Sequence, residues 1–208
     1  MKVFWWALGG LLAFVLILAV LYTKTTVPSL LPPTLVHSVS AVIPQGAPPV
    51  TPTPQVSRVT SSDGTMQLSM QTQNNTKATT YSFFTSDATG NNKKLIFQKS
   101  VATSGSMSLP ANSWSTDNAY VFIAEKDTDG QHVLVLKASG ELFANGQQFL
   151  DVVSQFNQKQ IPHVLSEVTG WASATLLVVN TKDGSTSGPS YWFEIPSENF
   201  IQLANRFP

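Results

Sequence analysis

The sequence predicts a mainly β fold, in which an N-terminal transmembrane helix precedes a single domain of antiparallel sheets. Three observations predict it. Residues 3–22 are uncharged and mostly apolar, residues 25–57 are rich in proline, and from Val59 onward short runs of β-branched and aromatic residues alternate with Gly, Asn, Asp and Ser. Such runs are typical of strands joined by turns, so we expect residues 58–208 to be the folded β domain.

The apolar segment predicts an uncleaved signal anchor over residues 1–24. Its 20 uncharged residues, 3–22, would form a helix about 30 Å long, which matches the hydrocarbon thickness of a bilayer. A secretory signal peptide is the alternative, but its apolar core spans about 7–15 residues and precedes small residues at a cleavage site. Here Thr23, Lys24 and Thr25 follow the core. We therefore expect residues 3–22 to cross the membrane once, with the C-terminal domain outside the cytoplasm.

Residues 25–57 predict a spacer between the anchor and the domain. All eight of the prolines between Thr23 and Ser57 fall in this segment, which has almost no charge. Proline fixes its own φ and favours extended backbone in the residue before it. The segment is therefore expected to be a semi-rigid linker. His37 stands in it without neighbouring metal-ligating residues.

Composition excludes several classes of function. The 12 basic and 12 acidic residues cancel, and phosphate binding needs clustered Lys and Arg, so we expect no nucleic-acid partner. The chain has no cysteine, which removes disulfides, thiolate catalysis and Cys-ligated zinc. No metal or other cofactor is expected.

The strands are predicted in order along the domain. Met66, Leu68 and Met70 alternate with polar residues, and the next runs are TTYSFFTS and KKLIFQKSV, separated by the turn DATGNN. YVFIAE and HVLVLKAS flank the turn KDTDGQ, while ATLLVVNT and SYWFEIPS flank KDGSTSGP. Asp-Gly is a strong hairpin signal because glycine tolerates positive φ.

One helix is expected between the last two hairpins. Phe149, Val152, Val153 and Phe156 fall at helical spacing, with an acidic residue near the start and Lys159 near the end. Pro162 follows and would stop the helix. A buried strand through FLDVV is the alternative.

Three strand openings form a repeat. They are TSSDGTMQLSM from residue 60, WSTDNAYVFIA from residue 114 and WASATLLVVNT from residue 171. Asp63 and Asp117 hold the same place in the first and second openings, and Trp114 and Trp171 begin the second and third. Each opening leads into an apolar strand, a glycine-containing turn and a second strand.

This order resembles the WD40-like repeats of TolB-type β-propellers, whose blades open with a Trp-Ser-Pro-Asp-Gly pattern. Trp114, Ser115 and Asp117 match that pattern, and Asn118 replaces its Gly. The resemblance extends over residues 60–208 and implies blade-like antiparallel sheets, as a partial propeller. Propellers have about four to eight blades, so three openings cannot close an ordinary ring. A two-sheet β-sandwich is the alternative.

The sequence indicates no catalytic site. Asp127-Thr128-Asp129-Gly130 lacks the acidic residue that a calcium loop needs at its twelfth position, which is Ala138. His132 and His163 are expected to be ordinary sheet residues. An acidic pair for glycoside hydrolysis could come from five residues whose spacing favours no particular pair: Asp117, Glu125, Asp151, Glu167 and Glu194.

The aromatic residues give the candidate binding surface, which is Trp114, Trp171, Tyr191 and Trp192. Trp and Tyr are enriched at binding hot spots, although the same residues also favour strand cores. The expected function is a membrane-anchored extracytoplasmic binding or scaffold module for protein or envelope-polymer contacts. The alternatives are an envelope hydrolase acting on glycan or peptide, and a subunit of a cell-surface assembly formed by self-association.

Overall fold

The computed structural model describes residues 54–204 and 206, all within the unit Pro49–Pro208. The predicted anchor, its membrane contact through residues 3–22, and the linker up to residue 53 lie outside the described residues. In the part of the chain that is described, no helix has the length and apolar character needed to cross a bilayer.

The first sheet is a four-stranded antiparallel meander. It consists of β1 (Gln55–Thr60), β2 (Met66–Asn74), β3 (Ala78–Asp87) and β4 (Lys94–Ala102), in that spatial order. The first strand begins within the segment that the sequence assigned to the linker. It was missed because its side chains are mostly exposed and polar, which hides the alternation of a half-buried strand.

The second sheet repeats this arrangement and carries the helix. Its strands are β5 (Ser106–Ser108), β6 (Tyr120–Lys126), β7 (Gln131–Lys137) and β8 (Phe149–Asp151), again in sequence order. The helix α1 (Val152–Gln158) follows directly. The predicted helix is therefore present, but it begins at Val152, because the residues Phe149–Asp151 before it form β8. Asp151 caps the helix, since its carboxylate accepts from the backbone N–H groups of Val153 and Ser154.

The third sheet has the same topology. It contains β9 (Val164–Trp171), β10 (Leu176–Asp183), β11 (Thr186–Glu194) and β12 (Asn199–Gln202), with neighbours paired antiparallel in sequence order. Three consecutive four-stranded sheets replace the two-sheet sandwich that the sequence also allowed. The strands predicted from the hairpins KDTDGQ and KDGSTSGP are confirmed as β6, β7, β10 and β11.

The second sheet is buried on both faces. Along β6, Val121 and Ile123 belong to the core shared with the first sheet, whereas Phe122 belongs to the core shared with the third sheet. This explains why the strand has an uninterrupted apolar run, because a strand covered on both sides has no solvated face. Phe83 and Phe97 fill the first core, and Phe156, Tyr191 and Phe193 fill the second.

The face of the first sheet that points away from the second sheet carries polar residues together with the exposed side chains of Val56 (40%) and Leu95 (49%). Gln67 and Ser69 take the places in this repeat that Val121 and Ile123 hold in the next, and they alternate with Leu68, which faces the core. On this face Gln98 Nε2 donates to Ser82 Oγ (2.7 Å). This outer face therefore combines polar groups with exposed apolar side chains.

Candidate functional site: a hollow at the repeat openings

The second opening is a tight turn built around a buried hydroxyl group. Ser115 is fully buried; its Oγ donates to Asp117 Oδ1 (2.7 Å) and accepts from the backbone N–H of Tyr120 (2.9 Å). The backbone N–H of Asn118 donates to the Ser115 carbonyl (3.0 Å). Asn118 takes a positive φ of 61°, which asparagine tolerates better than most residues. Ser115 and Asp117 therefore serve the turn.

The first opening has the same network. Ser61 Oγ donates to Asp63 Oδ1 (2.6 Å) and accepts from the backbone N–H of Met66 (2.9 Å), and Gly64 takes the positive φ, here 73°. Hydrogen bonds from Ser61 and from the backbone of Thr65 hold the pKa of Asp63 well below its usual range. The two turns are also joined, because Asn118 Nδ2 donates to Asp63 Oδ2 (2.8 Å).

The third opening is shorter. The backbone N–H of Ala172 donates to the Leu176 carbonyl (2.8 Å), four residues on, whereas Ser115 pairs with a residue five positions on. Ala172 and Ala174 stand at the places of the serine and aspartate. The side-chain network is thus replaced by a tighter backbone turn.

The two tryptophans link each sheet to the one before it in the same way. Trp114 Nε1 donates to the Val59 carbonyl (3.2 Å) of the first sheet, and Trp171 Nε1 donates to the Ser113 carbonyl (3.0 Å) of the second sheet. Val59 and Ser113 are each two residues before the opening serine. The sequence repeat is therefore also a repeat of inter-sheet contacts.

The three openings surround a hollow of about 590 Å³. None of the described residues that line it is charged: Thr60, Ser62, Ala111, Asn112, Trp114, Thr116, Thr169, Gly170, Trp171, Ala172 and Val178. Its surface therefore consists of hydroxyl, amide and main-chain groups beside two indole rings. This volume falls within the range of small-molecule pockets, which is about 300–1,000 Å³.

Asn112 fixes one wall of the hollow, and no pattern in the sequence indicated this role. Its Nδ2 donates to the Thr169 carbonyl (2.8 Å) of β9. Gly170 beside it has a φ of 146°, and a Cβ there would lie 3.1 Å from Asn112 Cβ. A larger residue than glycine would displace the Asn112 side chain, so the wall depends on both residues.

The structure separates the four aromatic residues of the predicted binding surface. Trp114 and Trp171 both line the hollow, although Trp114 is only 6% exposed. Tyr191 is 4% exposed and packs edge-on against Phe156 in the second core, where burial raises the pKa of its phenol. Trp192 is half-buried on β11. The two residues that meet at one site are thus those of the repeat openings.

Each of the five acidic residues considered for hydrolysis has a separate contact within the fold. Glu125 is buried and lies 2.7 Å from Lys99 Nζ, which joins the first two sheets. Asp151 caps α1. The other three accept hydrogen bonds as follows: Asp117 from Ser115, Glu167 from Asn180 and Arg206, and Glu194 from the backbone of Ser197.

The two histidines within the described residues, His132 and His163, are paired there with aspartates and not with a nucleophile. His132 Nδ1 lies 2.7 Å from Asp151 Oδ2, the same oxygen that accepts from Ser154 Oγ (2.6 Å). Burial of the imidazole lowers the pKa of His132, but the hydrogen bond to Asp151 and the nearby negative charges raise it by more, so the net shift is upward. His163 pairs with Asp183 (2.6 Å). Among the described residues, no three or more His, Asp or Glu converge as metal ligands.

No family model fits the chain, and no curated protein is significantly similar to it. The function must therefore be inferred from the geometry of the hollow and its surroundings.

Proposed function

We propose that this chain is a membrane-anchored extracytoplasmic binding module that takes a protein segment or envelope polymer in the hollow at its repeat openings. The observation that carries the proposal is the convergence of all three openings on one uncharged cavity of about 590 Å³. Residues 3–22 would tether the module to the membrane, and the proline-rich linker would hold it away from the surface.

The regular topology supports an interpretation of the sheets as blades. Each sheet is a four-stranded antiparallel meander, and two successive junctions use the same indole-to-carbonyl hydrogen bond. Both features agree with the resemblance to TolB-type repeats, which implies a rigid platform for contacts. Three blades are fewer than an ordinary ring requires, so the module is proposed as a partial propeller.

The lining of the hollow favours an uncharged ligand surface. Asn112 and Thr116 offer an amide and a hydroxyl group, and Trp171 offers part of an indole ring. A charged ligand group would lose its hydration there without meeting an opposite charge, which is costly. An uncharged peptide stretch or neutral polymer meets no such penalty.

The test uses a variant that fills the hollow. Thr116 is exposed and lines the cavity, so T116W should obstruct it without disturbing a core. T128W is the matched control, because Thr128 is an exposed threonine of the β6–β7 turn. Full-length chains in envelope membranes are cross-linked, and the captured partners are quantified.

The proposal expects T116W to lose the partner that the wild type and T128W retain. Equal capture by all three proteins would overturn the hollow as the binding site. Protease treatment of intact cells, after any outer layer has been opened, tests the topology separately. Protection of the C-terminal domain would contradict the extracytoplasmic assignment.

A further inference from the structure

A second, smaller cleft lies away from the hollow, beside the helix. It has a volume of about 330 Å³ and is enclosed by the loop before β8, by α1 and by the β11–β12 turn. We call it the amide cleft, after the side chains of Asn145, Gln147, Gln155 and Gln158 that line it together with Glu198. It shares no described lining residue with the hollow.

The carboxylate of Glu198 lines this cleft and is held by two amide groups. Asn145 Nδ2 donates to its Oε1 and Gln155 Nε2 donates to its Oε2, each at 2.8 Å. Glu198 also takes a positive φ of 52°, so the β11–β12 turn aims this side chain by a backbone conformation that glutamate seldom adopts. The result is a rigid acceptor held between segments that are distant in sequence.

The amide groups around this carboxylate carry both donors and acceptors. Asn145 Nδ2 also contacts Gln147 Oε1 (3.1 Å), and Gln147 and Gln158 are both exposed. Gln155 Oε1 is buried and has no hydrogen-bond partner among the described residues.

The chemistry of the lining selects among ligand classes. The lining contains two carboxylates, Glu198 and Asp151, and one ammonium group, Lys159. This excess of negative charge disfavours the binding of phosphate and other anions. No described group of three or more carboxylates or histidines is present to bind a metal ion. Vicinal hydroxyl groups donate to carboxylates and exchange hydrogen bonds with amides in both directions, and half-buried Phe149 adds an apolar surface.

We propose that the amide cleft is a saccharide-binding site that takes one or two neutral sugar residues. Its volume lies near the lower limit of ligand pockets, about 300 Å³, which fits a ligand of that size. Glu198 would accept from two sugar hydroxyl groups, while Gln147 and Gln158 would exchange hydrogen bonds at the rim. This site is independent of the binding proposed for the hollow.

The experiment titrates the full-length chain in detergent micelles with two probes, maltotriose and the trimer of N-acetylglucosamine. Side-chain amide signals of Asn145 and Gln155 are followed by ¹H–¹⁵N NMR. Two variants perturb the cleft: Q158A removes an exposed rim amide, and E198Q removes the charge while keeping the shape. Q73A removes an exposed glutamine on the first sheet and is the matched control.

The proposal expects at least one probe to shift both amide signals saturably, with binding about fivefold or more weaker in Q158A and E198Q and unchanged in Q73A. The proposal would be overturned if neither probe shifted the amide signals at concentrations up to about 20 mM. Equal binding by Q158A, E198Q and wild type would overturn it as well. Shifts produced instead by inorganic phosphate or calcium chloride would assign the cleft to an ion and contradict the proposal.

Discussion

Replacing Ser115 by alanine should destabilise the domain by about 2–3 kcal/mol, because one buried hydroxyl group serves two partners. The hydrogen bond that it donates to the Asp117 carboxylate (2.7 Å) is of the charge-assisted kind, worth about 1.5–3 kcal/mol. The backbone N–H of Tyr120, which now donates to Ser115 Oγ (2.9 Å), would lose its acceptor at a cost of about 1–3 kcal/mol. Asp117 is exposed, so water replaces part of the hydrogen bond that its carboxylate loses. The overall loss of stability is therefore smaller than the sum of the two costs.

The expected change is measured by unfolding of the full-length chain in detergent micelles, followed by tryptophan fluorescence. For a domain of this size, a loss of about 2–3 kcal/mol lowers the Tm by about 5–10 °C. S106A changes an exposed serine of β5 and is the control. Ordinary surface substitutions change the free energy of unfolding by about 0.5 kcal/mol or less. If S115A and S106A differ by no more than that, the Ser115 hydroxyl group does not hold the opening turn together as described. A functional role for Ser115 would then have to be considered again.

Three further predictions concern the junctions between sheets and the charged groups. W171F keeps the ring packing but removes the indole donor to the second sheet, so urea unfolding should show a loss of about 1 kcal/mol; no loss would mean that this hydrogen bond is unimportant. The pKa of His132 is raised in the folded state above its ordinary value of 6.5. The stability that comes from its contact with Asp151 is therefore fully present below pH 6.5. It is lost as the pH rises through the pKa of the folded state. H132N should therefore flatten the decline in stability that is measured as the pH rises above 6.5. An unchanged decline would contradict the assignment. K99M leaves Glu125, which is 3% exposed, without its cation and should cost about 2–4 kcal/mol in denaturant unfolding, whereas a cost near zero would show that water replaces the lysine.

The central strands could be predicted because burial imposes a pattern on their side chains. In β6 and β7 both faces are covered, so the apolar runs are continuous and the Asp129-Gly130 turn between them is unmistakable. Two of the edge strands, β1 and β5, lack this signal. β5 has three residues and β1 is exposed, so neither shows a periodicity long enough to recognise.

The site was predicted only in part, since its geometry depends on contacts that leave no mark on the sequence. The recurrence of Trp114 and Trp171 indicated a repeat, but their acceptors are main-chain carbonyl groups, which any residue type supplies. Tyr191 looked equivalent to them in composition, yet strand alternation places it in the core. The amide cleft joins Asn145 to Glu198 across 53 residues, a pairing that no local pattern encodes.

The most direct test of the proposed function is site-specific photo-cross-linking of the full-length chain in its native membrane. A small aliphatic diazirine amino acid, which is less bulky than tryptophan and leaves the hollow open, replaces Thr116 in one protein and Thr128 at the β6–β7 turn in the other. The proposed function predicts a discrete adduct from position 116 that disappears when Asn112 in the wall is replaced by tryptophan, and no such adduct from position 128. An adduct from position 128 alone, or one from position 116 that survives N112W, would contradict binding in the hollow.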